Sequence, residues 1–114
     1  MYLARIALLA ALLWCLTPAW AADEAAYVRI AEPPDGDTLD GFEPGKLVYA
    51  VRPGPKGDHV HVYVGGEEVG ILRQLEGSYT LGPLPPGRQT LCVKVVNKAH
   101  VPIGVEQCVE VNVE

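Results

Sequence analysis

From residue 27 onward, apolar and polar residues alternate in short runs separated by glycine and proline. No run carries the 3.6-residue repeat and caps of an amphipathic helix. Alternation with a period of two marks strands that bury one face. Tyr27-Val28-Arg29-Ile30-Ala31 is the first such run, with Val28 and Ile30 inward. Pro33-Pro34-Asp35-Gly36-Asp37 ends it, and turn residues continue to Pro44-Gly45. Further strands are expected at residues 46–52, 59–64, 69–72, 78–81, 89–97 and 105–113. About seven short strands, with turn signals roughly every 8–12 residues, predict an all-β sandwich.

The most distinctive stretch is Gly57-Asp58-His59-Val60-His61-Val62-Tyr63-Val64-Gly65-Gly66. Its alternation puts Val60, Val62 and Val64 on the core face. His59, His61 and Tyr63 then share the opposite face. Gly65-Gly66 predicts a two-residue hairpin, because both turn positions need the positive φ that glycine adopts freely.

The amino-terminal residues read as a leader. Residues 1–5 carry one positive charge, residues 6–16 are apolar, and Thr17-Pro18 breaks the run before Ala19-Trp20-Ala21. The apolar run is too short to cross a bilayer, so we expect a signal peptide over 1–21, cut after Ala21. Trp14 before Cys15 is too bulky for a lipid-attachment motif. Next come a flexible lead-in at 22–26 and a single domain at 27–114. The processed chain is then exported, periplasmic or secreted, and not embedded in a membrane.

Removal of the leader leaves 93 of the 114 residues and, with Arg5 gone, takes the net charge from −5 to −6. Such acidity excludes nucleic acid as a partner, because no basic patch is present to neutralise phosphates. It also removes Cys15 and leaves Cys92 and Cys108 as one pair in a compartment where disulfides persist. Setting Cys92 opposite Cys108 in an antiparallel hairpin puts Lys94 opposite Glu106, Leu91 opposite Val109 and Val95 opposite Val105. Leu91, Val93, Val95, Val105, Val109 and Val111 then share one face, with Gln107 the single polar member. Register and disulfide agree. Closing a loop of about 15 residues is worth roughly 3 kcal/mol. A redox role would call for a C-x-x-C motif or a cationic helix terminus, and neither occurs.

Two segments resemble bacterial immunoglobulin-like and fibronectin-type-III-like modules: Val62-Tyr63-Val64-Gly65-Gly66-Glu67-Glu68-Val69-Gly70 their hairpin, and Leu84-Pro85-Pro86-Gly87-Arg88-Gln89-Thr90-Leu91-Cys92-Val93-Lys94-Val95 their corner and following strand. The resemblance implies an immunoglobulin-like antiparallel two-sheet sandwich in which the histidine strand lies beside the Cys92 strand. It speaks for architecture, since these modules serve many roles. In that arrangement His59 falls near Asn97 and Lys98, at the end that carries the His100 loop. His59, His61 and His100 then meet on one rim, with Asp58 beside them.

Neutral imidazoles suit copper, zinc and nickel. Positions i and i+2 of a strand lie about 6.5–7 Å apart, within reach of one ion. The expected ligands are therefore His59, His61 and His100, and the expected guests Cu(II) or Zn(II). The competing expectation is a solvated histidine face on a module that binds a protein or glycan and holds no metal, with Tyr63 and Asp58 at the contact. A free edge strand is available to a second copy, and the oligomeric state is open. We expect no enzyme. Ser78 is the lone serine after residue 21, both cysteines are bridged, and no G-x-S-x-G, H-E-x-x-H or phosphate loop occurs. The acidic run at residues 35–41 lacks the ligand spacing of a calcium loop and reads as a glycine-rich turn.

Overall fold

The computed structural model describes residues 25–114. The expected leader at 1–21 and residues 22–24 of the lead-in lie outside them. The described residues form eight strands and no helix: β1 (Tyr27–Glu32), β2 (Thr38–Leu39), β3 (Gly45–Arg52), β4 (His59–Val64), β5 (Glu67–Leu72), β6 (Glu76–Leu81), β7 (Gly87–Val96) and β8 (Pro102–Val113). They build two sheets, one in the order β1-β3-β6 and one in the order β2-β8-β7-β4-β5. This is the expected antiparallel sandwich, apart from β2, which runs parallel to β8.

The alternation does what it predicts. Val28, Leu47, Tyr49, Val51, Val60, Val62, Leu91, Val93, Val95, Val109 and Val111 all point between the sheets and are buried. Ile30, Val64 and Val105 are partly buried against them. Gly65 and Gly66 have φ of 58° and 87°, so β4 and β5 are joined by the two-residue turn that glycine pairs favour. Gln107, the polar member of the inward set, is exposed. Its Oε1 accepts the Ile30 N–H at 2.7 Å, which ties β1 to β8 across the edge of the sandwich.

Two expectations need correcting. Residues 35–41 are not merely a turn. Asn112 N donates to Asp37 O at 2.8 Å and Glu114 N to Leu39 O at 2.9 Å, which makes Thr38–Leu39 an edge strand on β8. Asp35 Oδ1 meanwhile accepts the Glu110 N–H at 2.8 Å. A two-residue parallel strand depends on a distant partner, so local alternation cannot reveal it. The second correction concerns the β7–β8 register. Cys92 faces Cys108 and Lys94 faces Glu106 as expected, but the next pair is Val96 with Pro102. Residues 103–105 bulge out opposite Val95, with Gly104 at φ 88°, so Val95 and Val105 do not pair. A bulge bends its strand and re-aims the neighbouring side chains. Here the bulge sits directly beyond the loop that carries His100.

The Cys92–Cys108 disulfide joins directly opposed residues, with Cα atoms 4.1 Å apart, on the outer face of the five-stranded sheet. Replacing both cysteines by alanine should cost about 3 kcal/mol, by release of the unfolded chain from its closed loop. At roughly 4–8 °C per kcal/mol for a domain of this size, thermal melts of the oxidised parent and the variant resolve the difference. Superimposable curves would show that the bridge carries no stability.

Candidate metal centre

Strand β4 begins at a point of close packing. A methyl group on Gly57 would meet Pro53 O at 2.5 Å and Val95 Cγ1 at 2.6 Å, so only glycine fits. The Asp58 N–H donates to Val96 O at 2.8 Å and fixes the entry. His59 then pairs with Val96, and His61 sits between Lys94 of β7 and Ile71 of β5. Both histidines point away from the core, as the alternation requires. They are not solvated, however: His59 is 1% exposed and His61 2%.

The loop between β7 and β8 sets a third ring against them. The Asn97 N–H donates to Val101 O at 3.0 Å, and the His100 N–H to Asn97 O at 2.9 Å. Asn97 Oδ1 accepts the N–H groups of Ala99 and Val101, at 2.9 and 3.0 Å. This tight turn holds His100 at φ 64°, the one positive φ outside glycine among the described residues. A left-handed L-residue costs roughly 1–2 kcal/mol, and such strain concentrates at functional sites. The turn brings the exposed His100 ring to 4.6 Å from the His59 ring and 5.2 Å from the His61 ring, centroid to centroid.

Three nitrogens meet. His59 Nε2 lies 3.1 Å from His61 Nε2 and 3.2 Å from His100 Nδ1, and His61 Nε2 lies 3.0 Å from His100 Nδ1. The far nitrogens face carboxylates. His59 Nδ1 donates to Asp58 Oδ2 at 2.9 Å, and Arg73 Nη1 lies 3.8 Å from the same oxygen. His61 Nδ1 lies 3.4 Å from Glu68 Oε2, close enough for attraction but not aligned as a hydrogen bond. It is a buried side-chain nitrogen with no hydrogen-bond partner. A carboxylate behind an imidazole fixes the tautomer that directs the other nitrogen's lone pair forward. Asp58 does this for His59, and Glu68 is placed to do it for His61. Lone pairs about 3 Å apart repel each other unless a proton or a metal ion lies between them.

The charges are set by these contacts. Burial pushes the His61 imidazole below its ordinary value; Glu68 opposes this, and His59 and His100 add to it. The hydrogen bond from His59 holds the Asp58 carboxyl below the usual carboxylate range, with Arg73 and Lys98 assisting.

The structure thus brings together His59, His61, His100 and Asp58. Tyr63 stands at the margin, its ring 6.4 Å from that of His61. Tyr63 is half-buried, with Lys94 Nζ 4.7 Å above its ring. Glu68 joins the site without being singled out by the sequence pattern. Counting back through the Gly65-Gly66 turn places it beside β4, opposite Tyr63. A register shift between Val62 and Tyr63 then breaks the simple pairing, and the Glu68 carboxylate lies beside the His61 ring.

No protein-family model matches the sequence, and no curated protein matches it. Solved structures do. A fibronectin(III)-like module structure from Clostridium thermocellum CbhA superposes with a TM-score of 0.62 at 20% identity, over 76% of this chain and 95% of its own. The CARDB domain of the Pyrococcus furiosus PF1109 protein, in complex with di-metal ions, gives 0.57 at 15% identity, over 79% and 88%. A Jonesia denitrificans lytic polysaccharide monooxygenase gives 0.51 at 17%, over 72% and 60%. At these identities the likeness is one of fold, and it makes the chain an immunoglobulin-like, fibronectin-type-III-like β-sandwich. A disulfide on this fold fits an extracellular protein. Among the described residues, no helix is long and apolar enough to cross a membrane.

The geometry can be tested at two of its histidines. His100→Gly removes one ring while keeping the φ the turn needs. Its metal-free stability should stay within about 1 kcal/mol of the parent, while affinity for Cu(II) falls by more than about 100-fold. An unchanged affinity would remove His100 from the ligand set. The test of His61 uses pH. Below about 6.5 the unfolded chain protonates an imidazole that the folded chain keeps neutral. The unfolded state then binds more protons, so stability falls as pH falls. Asp58, with its depressed carboxyl, acts in the same direction at lower pH. The melting temperature of the metal-free protein should therefore drop between pH 7.5 and 5.5, and drop less in His61→Gln. Equal slopes in the two proteins would show that His61 is not the responsible group.

Proposed function

We propose that this chain is an exported, non-catalytic metal-binding module that takes one Cu(II) or Zn(II) ion between His59, His61 and His100. The observation that carries the reading is the triangle of ring nitrogens at 3.0–3.2 Å. The centre of such a triangle is about 1.8 Å from each nitrogen. Metal–imidazole bonds of about 2.0–2.1 Å therefore seat an ion about 1 Å above its plane. The donor set is of intermediate softness and suits copper and zinc, with Cu(II) the tighter guest. The outer carboxylates, the buried Nδ1 of His61 without a hydrogen bond and the strained φ at His100 all support it. Export rests on the leader pattern at 1–21, cut after Ala21, and places the module in the periplasmic or secreted space, where its disulfide is stable.

A second reading, a protein- or glycan-interaction module without metal, is favoured by Phe42. Its ring is 96% exposed on the loop between β2 and β3, where an aromatic side chain can anchor a partner.

Calorimetric titration of the tag-free processed protein with Cu(II) and Zn(II) separates the two. The metal reading expects saturation near one equivalent, tighter for Cu(II), and loss of binding in His59→Ala/His61→Ala. His100→Gly serves as the variant that leaves the buried strand intact. Absence of saturable binding by the folded parent would leave the interaction reading.

A further inference from the structure

We infer that the ion held by the three histidines keeps at least one coordination position for a small donor from outside the chain, water or a small anion, and is therefore not a closed structural site. The inference rests on the metal reading above and deepens it.

It begins with the donors. Among the described residues, His59, His61 and His100 form the cluster, and no fourth histidine, cysteine, aspartate or glutamate joins it. The nearby candidates are already engaged. Cys92 and Cys108 are bridged, so no thiolate is on offer. The Asp58 carboxylate is turned to the outer nitrogen of His59, and that of Glu68 to the outer nitrogen of His61. The Asn97 side-chain oxygen accepts two backbone N–H groups of its own turn. The Tyr63 ring lies under the Lys94 ammonium.

Geometry points the same way. Nitrogen separations of 3.0–3.2 Å, with bonds of about 2.0–2.1 Å, give angles of about 100° at the ion. All three protein donors then lie on one side of it. Such an angle belongs to three corners of a tetrahedron or one face of an octahedron, so the opposite side lacks protein donors. Structural zinc sites close with four protein ligands, whereas three ligands leave a place for water or substrate. The cluster borders solvent at His100, an exposed residue, while His59 and His61 form the buried floor.

Charge selects the class of ligand. Three neutral imidazoles leave both positive charges of a divalent ion uncancelled in its immediate shell. The two carboxylates offset them from beyond the rings, without occupying a position on the ion. A small anion that donates through one atom fits the charge.

The test uses the processed protein loaded with one equivalent of Cu(II), with loading established by its electron paramagnetic resonance spectrum, and then titrated with sodium azide. The expected result is a new azide-to-copper charge-transfer absorption and a shift of the resonance, both saturating at one azide per copper. His100→Gly, mixed with the same copper and azide, supplies the spectrum of unspecific complexes. Copper that is bound with nitrogen ligands, yet whose spectra do not move with azide, would overturn the open position and leave the metal reading standing. A protein that holds no copper would overturn the metal reading, and this inference with it.

Discussion

The histidine cluster depends on the register of β7 against its two neighbours. On one side β7 pairs with β4, which sets Val96 beside His59 and Lys94 beside His61. On the other it pairs with β8, which sets Cys92 opposite Cys108. Since side chains alternate, a slip of one residue of β4 against β7 would turn His59 and His61 into the core and the β4 valines out of it. The buried valines of β4 and β7 oppose such a slip, and the disulfide fixes the separate register of β7 against β8. The register then ends where it must. The bulge at residues 103–105 shortens the β8 side, and the turn after β7 folds His100 back over the sheet.

That arrangement is costly for so small a domain. Total stability for such chains is of the order of 5–15 kcal/mol. A buried nitrogen without a hydrogen bond costs roughly 1–3 kcal/mol, and the left-handed His100 adds roughly 1–2 kcal/mol. Valine or isoleucine would suit these strand positions better. Strain of this kind concentrates at functional sites, and here it accompanies three ring nitrogens 3.0–3.2 Å apart. The surrounding sandwich supplies the rigidity: the three histidines sit on a central strand and on a turn closed by the Asn97 side chain, not on a loose loop.

Local chemistry is sufficient for much of this molecule. Alternation in β4 separates Val60 and Val62 from His59 and His61, the Gly65-Gly66 pair closes a two-residue hairpin, and two cysteines on one face of a hairpin bridge. Each is dictated by the period of a strand or the conformational range of glycine, and so by the residues themselves. Even the meeting of the three histidines at one end of the sheet is implied once β4 and β7 are taken as neighbours, because antiparallel strands bring the start of one to the end of the other.

Other features exist only in three dimensions. The edge strand β2 is made by hydrogen bonds to β8, more than 70 residues away, and two residues carry no periodicity of their own. The β8 bulge has Gly104 as its one local mark, and its position opposite Val95 is seen only in the paired sheet. Alternation places His59 and His61 on the outer face, but it does not reveal that they are 1% and 2% exposed there. The residue types and their faces are thus written in the chain as local periodicity. The depth of the histidines and the distances from their nitrogens to His100 arise from long-range packing, which local periodicity does not encode.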